Sequence, residues 1–509
     1  MDAIELSIFS SRIESICDEM GAVLQRAAFS PNIKDRLDFS CAIFDEQGQL
    51  CAQAAHIPVH LGSMAYAMQD IVEQVDWQPG DMLALNDPYL GGTHLPDVTL
   101  VCPVYLNGRR VGFVANRAHH ADIGAESPGS MPLATHLDEE GLVISPTKIM
   151  RGNQVSAEFE QIKQALRHTI ESTGDFNAQI SANQRGAQRL LSVVEDMGAE
   201  KYERALTHLN EYGDRLMLQL LQRIPVGVYH FEDVMDDDGL GAKDIKIKLS
   251  LTINNSEVIA NFAGTASQVA GNINCPLSVV AAAVYYVFRC LMPVNTPACF
   301  GVYRRIKIIA EHGSFINAIK PAAVAAGNVE TSTRLVDVVI GALAQAVPEE
   351  LPAASHGSMN NVAMGAKAEG VSWNYYETIA GGMGGGALFD GLSAVQTHMT
   401  NTLNTPIESL EMHYPLRVKR YQVRRGSGGE GKTKGGDGLI REIEFLKPAH
   451  ITLLTERRRH KPWGVLGGQA GKCGENWLNE TRLAAKVSVD VSVGDCLAIK
   501  TPGGGGYGV

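Results

Sequence analysis

Residues 97–120 read DVTLVCPVYLNGRRVGFVANRAHH. Asn107 and Gly108 are the strongest two-residue hairpin signal in the chain, because such turns need positive φ at both central positions. With a two-residue turn, Leu106 lies opposite Arg109, and Asp97 falls opposite Ala118. Side chains alternate between the faces of a strand. Asp97, Thr99, Asn116 and His120 therefore share a polar face. Val98, Leu100, Cys102 and Val104, with Val111, Phe113 and Ala115 beside them, form a core face interrupted by Arg117. His119 points away from the polar face. His94 stands just upstream, in an irregular segment where Gly91 and Gly92 let the backbone bend.

This register predicts that His94, Asp97 and His120 meet. Two imidazoles and one carboxylate are a common set for Zn, Mn or Fe, and three protein ligands leave a position open for water. The same residues also fit a hydrogen-bonded network at a sheet end, with His119 or His120 satisfied by Asp122. Spacing alone leaves both readings open.

Upstream of the hairpin, Phe9, Ile13, Ile16, Met20, Val23 and Ala27 recur at steps of three and four, which predicts an amphipathic N-terminal helix. FSCAIF and LCAQA flank DEQGQ as a second hairpin. The fold class is mixed α and β (α+β), with N-terminal hairpins and helices, a central helical segment and a glycine-rich, β-rich C-terminal part. The expected division is 1–150, the region of the metal site; 151–225, helical; 226–400, an α/β core; and 401–509, the glycine-rich region.

The 509 residues are 45% hydrophobic and 20% charged, in the range of globular proteins. A net charge of −12 argues against a global field for nucleic acid or anionic membrane. The nine cysteines include no CxxC pair, and the N-terminus has no basic segment followed by an apolar one, so a cytoplasmic location is expected. LSVVAAAVYYVFRCLM is too short for a membrane span and carries Arg289. GSGGEGKT at 426–433 fits the phosphate-loop pattern by letter. The charged RVKRYQVRR before it and KGGDG after it offer neither a buried strand nor a helix, so it reads as a surface turn. GGMGGG and GGGG likewise read as turns.

NDPYLGGTHLPDVTLVCPV followed by NRAHHADIG resembles the hydantoinase B family, which includes part of the 5-oxoprolinases and the metal-bearing subunits of acetone and acetophenone carboxylases. The resemblance extends through IKDRLDFSCAIFDEQGQLCAQAAHIPVHLGSM, PAAVAAGNVETSTRLVDVVIGAL, ETIAGGMGGGALFDG and ERRRHKPWGVLGG to PGGGGYG. Ala125 departs from it, standing where the family usually has Gly. The resemblance implies one divalent ion, Mn or Zn, at His94, Asp97 and His120. It places Asp38 as a fourth ligand or an orienting group, and Asp122 and His119 as further candidate catalytic residues. His56 and His60 read as satisfied core histidines or as groups behind the ligands. It also implies a hydantoinase A-type ATPase partner in a hetero-oligomer with two or more copies of each subunit. The partner would use ATP to phosphorylate a small cyclic amide, and this chain would hydrolyse the product. The alternatives are the metal-bearing subunit of a ketone carboxylase and a non-catalytic scaffold.

Overall fold

The computed structural model describes residues 1–509 other than 55–56, 167–168 and 369–370, so His56 lies outside the described residues. The fold is mixed α and β. Helix α1 (Ala3–Ala27) starts at Asp2, whose carboxylate accepts from the Glu5 backbone N–H at 2.8 Å while Glu5 caps in return. Its stripe of Phe9, Ile13, Ile16, Met20 and Leu24 is buried. There follow α2 (Pro31–Lys34), β1 (Phe39–Phe44), β2 (Leu50–Ala54), α3 (Pro58–Gln74), β3 (Met82–Leu85), β4 (Asp97–Leu106), β5 (Arg109–His119), β6 (Thr147–Arg151) and β7 (Gln154–Val155). These strands form one antiparallel sheet in the order β2-β1-β5-β4-β3-β6-β7. The chain continues through α4 (Ala157–Ala165), α5 (Thr169–Met197) and α6 (Ala199–Arg223). Helix α5 lies on one face of the sheet, where Gln179 donates to the Val98 carbonyl and Asn183 to the Leu100 carbonyl. Helix α3 is tied to the opposite face, where Arg117 donates to Ser63 at 2.6 Å and to Thr99 at 2.7 Å.

The β4–β5 register departs from the simple hairpin. Leu106 pairs with Arg109 and Tyr105 with Arg110, as the turn predicts, but Val104 pairs with Gly112. Val111 is thus an extra residue, a β-bulge that shifts all pairs beyond it by one position. Asp97 pairs with His119, not Ala118. A one-residue slip moves every side chain to the other face. The bulge brings Gly112 against β1, where a Cβ would lie 2.6 Å from the Phe44 carbonyl oxygen.

The middle of the chain adds the sheet β11-β10-β9-β8, made of β8 (Gly227–Asp237), β9 (Lys243–Ile253), β10 (Val258–Asn261) and β11 (Ile306–Ile309). Helix α7 (Leu277–Cys290) packs against α3 and α8 (Ser332–Leu343). A π-helical turn, Gly327–Thr331, runs directly into α8. Gly327 is pressed so closely on the Asn274 carbonyl that a Cβ would lie 1.8 Å from its oxygen. The C-terminal part holds two further sheets and a second core around Val362, Ile443, Ile451 and Leu497. Strands β12 (Asn361–Ala368) and β13 (Val371–Glu377) belong to it.

The glycine runs are not isolated turns. They lie side by side as extended segments joined by backbone hydrogen bonds. Gly385 donates to the Gly505 carbonyl, Gly436 to that of Met383 and Gly504 to that of Gly436. GSGGEGKT belongs to this layer: Gly429 donates to the Gly504 carbonyl at 2.9 Å, and no helix begins after Thr433. The stretch lacks the strand-to-helix frame that holds phosphate. Among the described residues no helix is long and apolar enough to cross a membrane.

Candidate metal centre

The site is assembled at the end of the hairpin. Asn86 shapes the segment before β4: its amide donates to the Leu95 and Leu142 carbonyls at 2.8 and 3.0 Å and accepts from the Ile144 backbone at 2.6 Å. Gly91 takes φ 103°, and Gly92 lies where a Cβ would be 2.3 Å from the Asn86 carbonyl oxygen. The bend returns His94 onto Asp97. His94 Nε2 lies 3.2 Å from Asp97 Oδ1, and His119 Nδ1 lies 3.3 Å from the same oxygen. Among the described residues, His94, Asp97 and His119 are the group whose ligand atoms all lie within 4.8 Å of one another.

All three are buried. His94 Nδ1 faces the Ala325 carbonyl at 3.3 Å, so Nδ1 carries the proton and Nε2 presents a lone pair. Among the described residues, neither Nε2 nor Asp97 Oδ1 has a hydrogen-bond partner, although the two atoms are close. Two converging acceptors without a proton between them repel each other, and buried polar atoms are seldom left unpaired. A cation between them removes both problems, so the residues fit a divalent metal. Burial pushes the Asp97 carboxyl up, but the His94 and His60 imidazoles outweigh it and hold the group well below the usual carboxylate range. Burial pushes the His119 imidazole down toward the neutral, ligating form. Burial also opposes charge on His94, but the Asp97 carboxylate raises it overall. A bound cation, with the opposite charge, would reverse that pull.

Asp97 Oδ2 is fully engaged. Thr93 donates to it at 2.6 Å and Asn328 at 3.2 Å, and His60 Nε2 lies 3.3 Å away. Glu140, buried, accepts from the backbone N–H groups of Val324 and Ala325 and thereby fixes the carbonyl that faces His94. Asp38 lines the same small cavity; its Oδ1 is 4.0 Å from His60 Nε2 and its Oδ2 is 3.9 Å from Arg36 Nη2. Leu37 between them holds a left-handed backbone, φ 58°, so strain is stored beside the cavity.

Two expectations change. His120, expected among the ligands, belongs to the opposite side of the sheet. Its Nε2 pairs with Gln179 Oε1 of α5 at 2.9 Å, and its ring packs on Phe176 at 4.6 Å. His119 faces Asp97 instead, because of the bulge at Val111. Asp122 does not line the cavity. Its Oδ1 accepts from the Gly124 backbone at 2.8 Å and from Ser130 at 3.2 Å, so it shapes a loop. Thr93, Asn328, Tyr376 and Glu140 had no sequence signal of their own. Asn328, Tyr376 and the carbonyl that Glu140 holds reach the site over about 200 residues or more of separation, a distance at which spacing carries no information.

The chain matches the Hydantoinase B/oxoprolinase family over residues 2–509. It is 38% identical to an uncharacterized protein of Methanocaldococcus jannaschii, over 100% of this chain and 91% of that one. It is also 38% identical to 5-oxoprolinase of Dictyostelium discoideum, of whose length it spans only 40%. The crystal structure of ATP-dependent caprolactamase from Pseudomonas jessenii is similar with a TM-score of 0.93 at 26% identity, over 100% of this chain and 91% of that chain.

Proposed function

This chain belongs to the Hydantoinase B/oxoprolinase family, and from that premise we propose that it is the metal-bearing hydrolytic subunit of an ATP-dependent cyclic amide hydrolase. The observation that carries the reading is the convergence of His94, Asp97 and His119 with unpaired acceptor atoms facing one point. The ion is Mn or Zn, which this donor set suits equally. When bound, it supplies Lewis acidity and a water acidified toward neutral pH.

The chain's own residues do the rest. Thr93, Asn328 and His60 hold Asp97 Oδ2, so that Oδ1 turns toward the imidazoles. The Ala325 carbonyl fixes the His94 tautomer. Asp38 Oδ1, across His60 from Asp97, is placed to accept a proton at the cavity wall. Buried walls around the cavity exclude bulk water.

An unstrained lactam is a poor electrophile. Phosphorylating its carbonyl oxygen gives a good leaving group, and we assign that step to a hydantoinase A-type ATPase partner in a hetero-oligomer. Three observations support the assignment. The GSGGEGKT stretch lacks a nucleotide-binding frame, and the similar caprolactamase is ATP-dependent. In the 5-oxoprolinase relative, moreover, well over half of the protein lies outside the matched part. The test combines this chain with such an ATPase, ATP and a panel of 5-oxoproline, hydantoin and caprolactam, and follows ADP and ring opening together. Ring opening that needs both chains and ATP is expected. Bicarbonate-dependent carboxylation of a ketone with no lactam opened would replace this reading with the carboxylase one.

A further inference from the structure

The two imidazoles at Asp97 are held differently. His94 has the usual arrangement for a ligating histidine, with its remote ring nitrogen on a backbone carbonyl, here that of Ala325. Among the described residues His119 has no such partner: its Nε2 is buried without a hydrogen bond. Instead its ring lies flat on Tyr376, with centroids 4.8 Å apart and planes 13° from parallel. Arg36 stands 4.8 Å from the centroid of the same Tyr376 ring. Its guanidinium also donates to the Tyr376 carbonyl at 2.8 Å, to Asn32 Oδ1 at 3.2 Å and to Thr378 at 3.3 Å. The Tyr376 hydroxyl donates to Asn361 Oδ1 at 2.5 Å, and the Asn361 amide donates to Glu330 Oε1 at 2.7 Å. Glu330 sits on the π-helical turn that also carries Asn328, the donor to Asp97 Oδ2.

We infer that Tyr376, backed by Arg36, is the positioning residue that fixes the His119 imidazole for metal binding, in place of the missing hydrogen bond. A stacked ring resists tilting, and a cation on its face adds attraction. The hydroxyl, tied through Asn361 to Glu330, anchors the ring beside the π-helical turn. π-Helical turns recur at functional sites, and this one reaches both ligands. The ring supplies the stack and the hydroxyl only anchors it, so the ring is what metal affinity senses.

The inference rests on the metal reading, and the test separates the two. Co(II) affinity is measured by competition with a chelator, and the absorption spectrum of bound Co(II) is recorded, for the wild type and for Tyr376→Phe, Tyr376→Leu and Tyr376→Met. A wild type that binds no ion would overturn the metal reading itself. If the wild type binds, Tyr376→Phe is expected to stay within about threefold of it, with the same spectrum. Tyr376→Leu is expected to weaken binding about 10- to 100-fold, the range for groups that orient ligands, with an altered spectrum. Tyr376→Met keeps an unbranched apolar filler in the core and decides the matter if the leucine variant does not fold. Wild-type affinity and spectrum in a folded Leu or Met variant would overturn the inference, as would a Phe variant as weak as the Leu one.

Discussion

Asp97 divides its oxygens between two tasks. Oδ1 faces the imidazoles of His94 and His119, while Oδ2 is saturated by Thr93, Asn328 and His60. A carboxylate held at one oxygen cannot swing, so the free oxygen is aimed before any ion arrives. Glu330 braces the same region, accepting through Oε1 from the Met359 backbone at 3.0 Å and from Asn361. Burial raises its carboxyl from an ordinary 4.5 to about 8. The folded chain therefore keeps a proton that the unfolded chain releases, and stability falls as pH rises from about 4.5 to about 8. Glu330→Gln keeps an acceptor and has no proton to lose. Denaturant midpoints at pH 5, 6, 7 and 8 should show a shallower decline for the variant than for the wild type. Parallel curves would show that Glu330 does not titrate between the folded and unfolded chains in that window.

At the scale of the element, one inserted residue decides which histidine joins the site. The turn at Asn107 and Gly108, both strands and the convergence of His94 with Asp97 were all legible in the sequence. The register was not, because the apolar alternation of RRVGF fits a continuous strand as well as one with Val111 bulged out. Gly112 was the signal available. Glycine inside a strand often marks a bulge or a close backbone approach, and here the approach is to the Phe44 carbonyl. Gly112→Ala should cost about 1–3 kcal/mol through that clash, read as a lower denaturation midpoint. It should also lower metal content, because relief of the clash shifts the strand end that carries His119. An unchanged midpoint with full metal content would mean that the bulge tolerates a side chain.

Across the whole molecule, the site depends on segments far apart in the chain. Asp97 and His119 come from one hairpin, His94 from the segment leading into it, Asn328 from the π-helical turn and Tyr376 from β13. The sequence carried the helices, the hairpins and the mixed α and β class, since these follow from local periodicity. It did not carry the packing of the glycine runs, which were read as turns. Their glycines are needed because neighbouring backbones lie where side chains would be: at Gly504 a Cβ would sit 2.1 Å from the Met383 carbonyl oxygen. Contacts of that kind are visible only when distant segments are seen together. We propose that His119, and not His120, completes the metal centre. Elemental analysis of the wild type, His119→Ala and His120→Ala, purified in parallel and checked for folding by circular dichroism, separates the two histidines. One divalent ion per chain is expected in the wild type and in His120→Ala, with almost none in His119→Ala. Metal retained in His119→Ala and lost in His120→Ala would assign the ligand to His120 instead.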